Sequence, residues 1–366
     1  MSRRIDLAAV LVRASERPRA LSFEELTLLL RLGSEAERKL VRDAAYALKC
    51  RSRGKLVSMR GIVEMGNVCA KDCFYCGIRR SNHKLDRYQL SVEDVARMAE
   101  RDAAQGYASL VLQGGEIESE DHTRYIEECL AAIRPLGLGV TLSLGEQTEA
   151  TYRRWREAGA ERYLLRIETS NPALYSTLHP ADHDWERRVE CLRALRRCDY
   201  QVGTGVMCGL PGQSVEDLAR DIVFFGEMDV DMIGMGPYIP HPDTPLSYRA
   251  PAETAAERLE RGLDMIAAAR LYLHDVNIAA TTALQALAHD GRERGILAGA
   301  NVMMPNITDT DYRRRYQLYA GKPCLDENAA MCRGCLERRL AAIGEKVNYG
   351  NRGDSPHYFK RKGMFL

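Results

Sequence analysis

Cys69-Ala-Lys-Asp-Cys73-Phe-Tyr-Cys76-Gly77 is the stretch of sequence that decides the fold. It holds three cysteines within eight residues, in the spacing C-x3-C-x2-C. Thiolates at this spacing can bind one inorganic cluster, because the short loop between them turns the sulfurs to the same side. An iron–sulfur cluster normally takes four cysteines, so a set of three leaves one iron open to a small chelating molecule.

Two other uses of these cysteines are weaker interpretations. A disulfide framework is not expected in a chain of 366 residues that lacks a secretory signal. A structural zinc site needs a fourth ligand and usually takes C-x2-C pairs. The sequence therefore favours an iron–sulfur cluster.

Composition places the chain among globular proteins with a large core. The net charge is +1 and 45% of residues are hydrophobic, so we expect one large domain or two smaller ones. The absence of a basic stripe argues against nucleic acid as a partner. The absence of a long apolar run argues against a membrane span. The start of the chain has no apolar signal core, and eleven cysteines are best kept as thiols in the reducing cytoplasm, where we expect the protein.

Strand and helix patterns alternate along most of the chain. Eight such units over about 250 residues predict an α/β fold, a closed (β/α)8 TIM-type barrel with its sites at the C-terminal ends of the strands. Helices are expected before it, including one capped by Ser22 and Glu25. We predict an N-terminal helical cap over 1–55, the barrel over 56–310 and a C-terminal cysteine-bearing extension over 311–366. The eight predicted strands are 57–63, 108–113, 138–144, 163–168, 201–207, 232–235, 277–280 and 300–304.

Glycine and hydroxyl residues end the second and third predicted strands. In Gln113-Gly114-Gly115-Glu116, paired glycines let the backbone approach a ligand, or simply make a tight turn. Thr141 and Ser143 alternate to one face of the next strand. Both hydroxyls can therefore point into the barrel, towards a ligand carboxylate or a neighbouring backbone group.

Charged residues follow at the fourth strand. Arg166 and Glu168 share one face, and charges inside a barrel must pair or bind a charged ligand. Arg188, in the next helix, is either a second carboxylate-binding group or a solvated surface residue. The glycine-rich segment around Met207 suits a flat ring such as adenine, although glycine runs are weak evidence.

Cys324-x7-Cys332-x2-Cys335 is a second set of three cysteines near the end of the chain. A second iron–sulfur cluster is the first interpretation of this set, and zinc is the alternative.

The motif C-x3-C-x-aromatic-C, with Tyr75 as the aromatic residue, resembles that of the radical S-adenosylmethionine (SAM) enzymes. From about Ile62 to Leu340 the chain closely resembles the HydE family of [FeFe]-hydrogenase maturases, in the biotin synthase-like group. The segments that carry this resemblance are 69–80, Arg87-Tyr88, 166–169, 207–213, 236–245, 280–282, 300–306, 316–319 and the spacing of the second cysteine set.

The resemblance implies a closed barrel with a [4Fe–4S] cluster on Cys69, Cys73 and Cys76, and SAM on its open iron. SAM would be cleaved to a 5′-deoxyadenosyl radical that attacks a small organometallic substrate, the cysteine-bound Fe(CO)2(CN) synthon of the H-cluster. It also implies a ferredoxin or flavodoxin as electron donor, the other maturases as partners, and an accessory [2Fe–2S] or [4Fe–4S] cluster on the second cysteine set. By position, the implied SAM contacts are Tyr75, Gln113, Gly114, Gly115, Thr141, Ser143, Arg166, Glu168, Met207 and Met232, and the implied cavity residues are Arg162, Arg188, Thr281, Thr282, Met304 and Tyr316.

Two positions depart from the family pattern. The family often has serine where this chain has Gly114, and histidine where it has Ile167. These changes leave two other hypotheses for the function. One is a radical SAM mutase of small amino-acid metabolism, similar to methylornithine synthase. The other is a non-catalytic iron–sulfur scaffold.

Overall fold

The described part of the chain begins with three helices that pack against two later helices, Val215–Glu227 and Ala255–Leu273. The computed structural model describes residues 6–249, 251–325 and 329–364, with side chains in the last range from residue 333 onward. The second helix starts with the expected capping box, in which Ser22 and Glu25 each bond to the other's backbone. These helices are α1 (Leu7–Glu16), α2 (Phe23–Arg31) and α3 (Glu35–Arg53).

Seven parallel strands form a curled half-barrel. Each pairs only with parallel neighbours, as expected when a helix returns the chain after each strand. In spatial order the strands are β10 (Asn277–Ile278), β8 (Met232–Ile233), β6 (Gln201–Thr204), β5 (Ala160–Leu164), β4 (Gly139–Ser143), β3 (Ser109–Gly114) and β2 (Gly61–Gly66).

Two smaller sheets flank the half-barrel. One has the order β11 (Val302–Met303), β1 (Leu56–Met59) and β12 (Lys346–Val347), and the other pairs β7 (Met207–Cys208) with β9 (Gly236–Pro237). The segment 301–307 also bonds to both outer strands of the half-barrel. The amide of Ala280 donates to Val302 at 2.9 Å, and that of Ile62 donates to Pro305 at 2.8 Å.

Helices cover the outer surface of the strands and bury their apolar faces against them. Most begin with a Ser, Thr, Asp or Asn side chain that accepts a backbone N–H, which explains why each starts where it does. They are α4 (Val92–Ala104), α5 (Glu120–Ile133), α6 (Glu149–Ala158), α7 (Pro172–Leu178), α8 (Trp185–Arg197), α9 (Val215–Glu227), α10 (Ala255–Leu273), α11 (Thr282–Leu287), α12 (Gly291–Leu297), α13 (Thr310–Arg313), α14 (Ala329–Ala342) and α15 (Pro356–Arg361), with 3-10 turns at Arg134–Leu136 and Pro245–Tyr248.

Three predicted strands differ in the structure. The first is divided into β1 and β2, and the fifth, predicted over 201–207, is divided into β6 and β7; in each case the two parts pair in different sheets. The fourth, predicted over 163–168, is β5 and ends at Leu164. Glu168 has a φ of 65°, in the left-handed region, so the extended conformation cannot continue through it. No helix among the described residues has both the length and the apolar composition needed to cross a membrane.

The C-terminal segment lies across the N-terminal ends of the strands. The carbonyl of Gly353 accepts from the Arg60 guanidinium at 3.0 Å and from the Asn277 amide at 2.8 Å. Asp354 pairs with Arg162 and accepts from the Gln201 side chain. Buried cations at the base of the sheet therefore find their acceptors in the last part of the chain.

His357, in the C-terminal segment, bonds to two aspartates. Its Nε2 is 2.9 Å from Asp229, and its Nδ1 is 3.0 Å from Asp275. Burial by itself would lower the pKa of His357, but the hydrogen bonds to these carboxylates outweigh it and raise the pKa to about 9.

Replacing His357 with Gln should destabilise the protein in a pH-dependent way. The folded pKa is above the ordinary value of 6.5, so the stabilisation is fully present below that pH and is lost as the pH rises through about 9. We expect a loss in Tm on the order of 2 °C at about pH 6 and almost none at about pH 10. Thermal melts across this range, with exposed His83→Gln as the control, measure it. Equal losses at both pH values would contradict the ion pairs.

Candidate active site

A cavity of about 340 Å³ lies at the C-terminal ends of the strands, beside the cysteine loop. Its wall brings together most of the residues that the sequence singled out. Those that border it are Cys69, Cys73, Tyr75, Cys76, Gln113, Gly114, Gly115, Ser143, Arg166, Glu168, Arg188, Met207, Thr281, Thr282, Met304, Tyr316 and Cys324.

Strand register explains how three of these side chains meet. Glu64 on β2 pairs with Gln113 on β3, and Gln113 pairs with Ser143 on β4. Residues in one register row of a parallel sheet point to the same side. The row therefore faces the cavity, with Glu64 as a member that the sequence analysis missed.

Three predicted residues lie elsewhere. Thr141 and Met232 border a separate cavity of about 20 Å³, and Arg162 is buried against Asp354. Thr141 is two residues nearer the start of β4 than Ser143, which places it about 7 Å deeper along the strand. This placement does not support Thr141 or Met232 as SAM contacts, or Arg162 as a residue of the main cavity.

The three thiols of the cysteine loop are well placed for a cluster. Burial raises the pKa of Cys69 and Cys76, and raises that of Cys73 to about 12, so a bound cation is needed to keep these sulfurs as thiolates. No group of three or more His, Cys, Asp or Glu residues within the described ranges converges on a position for a single metal ion. A multinuclear cluster does not require such convergence, because each thiolate binds a different iron.

Close backbone packing fixes the start of the cysteine loop. The amide of Ala70 donates to Glu116 O at 2.8 Å, and the amide of Glu116 lies 3.4 Å from Cys69 Sγ. A Cβ at Gly115 would lie 2.0 Å from the carbonyl oxygen of Val68. The absence of a side chain at Gly115 therefore lets the end of β3 contact the loop.

Four charged side chains connect the cysteine loop to the strand ends. Lys71, between the first two cysteines, lies 2.9 Å from Glu146 and 3.2 Å from Glu116. Arg188 lies 2.6 Å from Glu146 and 3.9 Å from Glu116. We call these residues the loop quartet. Burial by itself would raise the pKa of Glu146, but Arg188 and Lys71 outweigh it and lower the pKa. Arg188 is therefore neither a free carboxylate-binding group nor a solvated residue.

Two histidines that the sequence analysis missed support the same loop. His183 Nε2 accepts from the amide of Asp72 at 3.1 Å, and His179 Nε2 lies 3.2 Å from the Tyr75 hydroxyl. Burial lowers the pKa of His183, and lowers that of His179 to about 3. Both rings are therefore neutral near pH 7 and can accept a hydrogen bond. The sequence offered one signal for them, namely two histidines four residues apart that directly follow α7.

Arg166 and Glu168 pair with each other at 3.0 Å and both border the cavity. Arg166 also donates to Val206 O at 2.9 Å, while its Nε has no partner among the described residues. The buried Ile167 belongs to the hydrophobic core rather than to the cavity wall. The side chain at position 167 therefore does not line the cavity.

The second cysteine set is only partly described. Cys324 borders the cavity, and its carbonyl accepts from Arg313 at 2.9 Å. Cys335 lies on α14, and the side chain of Cys332 lies outside the described residues. A second cluster on this set stays a prediction.

Comparison with known proteins gives one family match and several relatives. Residues 63–225 match the radical SAM superfamily. The [FeFe] hydrogenase maturase subunit HydE of Thermotoga maritima is 42% identical over 318 residues, covering 87% of this chain and 86% of that protein. The 3-methylornithine synthase of Methanosarcina acetivorans is 26% identical over 285 residues, covering 77% of this chain and 79% of that protein.

Solved structures agree on the fold. The crystal structure of methylornithine synthase (PylB) superposes with a TM-score of 0.81 at 24% identity, covering 93% of this chain and 98% of that one. The maturase HydG from Carboxydothermus hydrogenoformans superposes with a TM-score of 0.78 at 19% identity, covering 94% and 79% of the two chains. At these identities the likeness shows the fold alone.

Gly115→Ala should displace the cysteine loop, because the new Cβ would meet backbone at Val68. We expect loss of most of the cluster that the wild type takes up on anaerobic reconstitution, measured as bound iron and sulfide. Gly114→Ala is the matched control, since its Cβ would lie 3.3 Å from the end of the Leu144 side chain, which can shift slightly, and 3.7 Å from the Gly66 carbonyl oxygen, which is ordinary van der Waals contact. Equal iron content in the two variants would show that this contact does not position the loop.

Lys71→Met should leave two buried carboxylates facing each other with one cation fewer. Breaking a buried pair in this way should lower the free energy of unfolding by about 3 kcal/mol. Lys84→Met is the control on the same loop, because the Lys84 side chain is 77% exposed and solvent screens its ion pair with Asp243. Denaturant unfolding of both variants measures the difference. A loss at Lys71 no larger than at Lys84 would mean that the loop quartet is not stabilising.

Proposed function

The chain belongs to the radical SAM superfamily and, within it, to the HydE family of [FeFe]-hydrogenase maturases, and from this we propose that it modifies the cysteine-bound Fe(CO)2(CN) synthon during assembly of the [2Fe] subcluster of the H-cluster. It is an enzyme of the radical SAM type and a homologue of a protein of hydrogenase maturation. The observation that carries the proposal is the 42% identity to HydE over 87% of the chain, which includes all three cysteines of the loop.

Cys69, Cys73 and Cys76 are the residues that would hold the [4Fe–4S] cluster. They are three thiols of one loop at one wall of a cavity large enough for small molecules. When bound, the cluster and SAM supply a one-electron reductive cleavage that yields a 5′-deoxyadenosyl radical. The loop quartet, His179 and His183 hold the loop, so that the thiols keep a fixed position relative to the cavity.

The cavity residues on β3, β4 and the chain after β5 would bind SAM. The Nε of Arg166 has no partner among the described residues, and the guanidinium would take the carboxylate of SAM, with Glu168 holding it in place. Gln113 and Ser143 lie side by side on neighbouring strands. Their side chains can therefore donate hydrogen bonds to the same part of SAM or accept hydrogen bonds from it. Tyr75, Gly114, Gly115 and Met207 border the same space.

The substrate would occupy the other side of the cavity. Four residues that follow β10 in the sequence border this side: Thr281, Thr282, Met304 and Tyr316. The Tyr316 hydroxyl accepts from the Gln113 side chain at 3.2 Å, so the two sides of the cavity are linked by a hydrogen bond. This enclosure would keep bulk water away from a reactive species.

The proposal includes several further parts. We propose that the bonds of segment 301–307 to both outer strands close the half-barrel into a (β/α)8 barrel. We also propose a cytoplasmic location, a ferredoxin or flavodoxin as electron donor, interaction with the other maturases, and an accessory cluster on Cys324, Cys332 and Cys335. The domain bounds 1–55, 56–310 and 311–366 belong to the same proposal.

Maturation of apo-hydrogenase in a lysate that lacks HydE tests the function. We expect the reconstituted protein, with SAM and a reductant, to restore hydrogen evolution. Release of 5′-deoxyadenosine together with conversion of lysine to methylornithine would instead support the mutase alternative. No 5′-deoxyadenosine under any condition would support a scaffold and contradict the proposal.

Cys73→Ser should abolish release of 5′-deoxyadenosine from SAM, because two thiolates cannot hold a cluster with one open iron. Chromatography of a dithionite-reduced anaerobic reaction measures this product. Cys50→Ser, at a half-buried cysteine on α3, should behave as wild type. Cys335→Ser should also retain cleavage if the second set is accessory. Substantial cleavage by Cys73→Ser would rule out the cluster assignment.

A further inference from the structure

Arg292 is a buried cation with no partner among the residues that the structure describes. It lies on α12, is 3% exposed, and borders the main cavity. Its side chain makes no hydrogen bond or ion pair with any residue that the structure describes, and its Nε is fully enclosed. The neighbouring charges on the same helix are satisfied, since Glu293 pairs with Arg339 and Arg294 pairs with Glu260. An unpaired buried guanidinium is unfavourable unless a ligand completes it.

Glu64 is a buried carboxylate, and one of its oxygens lacks a hydrogen-bond partner of good geometry among the residues that the structure describes. It lies at an inward position of β2, is 3% exposed, and borders the same cavity. Its Oε1 pairs with Lys322, whereas its Oε2 has no hydrogen-bond partner among the described residues. Buried carboxylate oxygens are normally satisfied, so this oxygen calls for a donor from within the cavity.

Both charges border the same cavity, and Tyr319 borders it too. Burial is the main reason that the pKa of Tyr319 is raised; Glu64 raises it further and Arg292 lowers it, so both charges act on this one side chain. The cavity therefore offers a guanidinium and a carboxylate oxygen to a ligand inside it. An anion alone would leave Glu64 unsatisfied, and a cation alone would leave Arg292 unsatisfied.

We propose that Arg292 and Glu64 bind the head group of an α-amino acid, with the guanidinium taking its carboxylate and the free Glu64 oxygen taking its ammonium. The pair would thus set the specificity of the cavity for substrates that carry an intact amino-acid head. Lys322 holds Glu64 in place from the other side. The inference rests on the proposed function in one respect, namely that this cavity is the reaction chamber.

Matched probes separate the two contacts. Calorimetry on the reconstituted protein, with an oxidised cluster and saturating SAM to occupy the open iron, would compare L-2-aminobutyrate with butyrate, which lacks the ammonium, and propylamine, which lacks the carboxylate. Each missing charge-assisted contact should weaken binding by about 10-fold or more. Equal affinity for the three probes, or no binding of L-2-aminobutyrate at concentrations up to its solubility, would overturn the proposal.

Variants assign the contacts to residues. Arg292→Gln should weaken L-2-aminobutyrate by about 10-fold or more and remove its advantage over propylamine. Glu64→Gln should remove its advantage over butyrate. Arg294→Gln, on the same helix but paired with Glu260 outside the cavity, is the control and should bind as wild type. Unchanged affinities in both cavity variants would reject the assignment.

Two further measurements keep this test independent of folding and of the proposed function. Iron content and SAM affinity should match wild type in Arg292→Gln and Glu64→Gln, which shows that a weaker amino-acid affinity is not general misfolding. Wild-type release of 5′-deoxyadenosine from SAM tests the radical chemistry separately. Release with no discrimination among the probes would overturn the head-group site alone, whereas no release would overturn the proposed function.

Discussion

The contact of Lys71 with Glu116 and Glu146 is the interaction on which the site depends. It joins the cysteine loop to the ends of two neighbouring strands, and Arg188 completes it from α8. Loops are usually the most mobile parts of a fold, yet a cluster needs thiols at fixed positions. Four charges that satisfy one another inside the protein provide that rigidity, because moving any one of them would leave another buried and unpaired.

At the opposite end of the sheet, buried charges also pair with groups from a distant part of the chain. Arg60 and Arg162 are buried at the base of the strands, and their acceptors, Gly353 and Asp354, come from the last part of the chain. Arg60 and Arg162 therefore gain these acceptors only when the C-terminal segment has docked at the base of the sheet. Between these two layers, the cavity has buried charged atoms with no partner among the residues that the structure describes. Arg292 and Glu64 are the clearest, and a ligand is the simplest physical reason for them.

Much of the fold was predictable from local sequence. The capping box at Ser22 and Glu25 formed as expected, and the alternation of strands and helices gave the parallel sheet. Where the prediction was wrong, tertiary geometry had intervened. The fourth predicted strand does not run through to Glu168, which adopts a left-handed conformation that nothing in the local pattern signals.

The sequence by itself determined the three-thiolate loop, the parallel α/β architecture and the inward alternation that places Ser143 and Gln113 at the cavity, since spacing and strand period are local properties. Only the tertiary structure decided how deep each side chain lies along its strand and which buried charges find a partner. Thr141 and Ser143 share a face, but only one borders the main cavity, because register and curvature set their heights. Within the part of the chain that the structure describes, Arg188 has partners and Arg292 has none, although both are arginines on helices. The reason is that the acceptors that satisfy a buried charge come from distant parts of the chain.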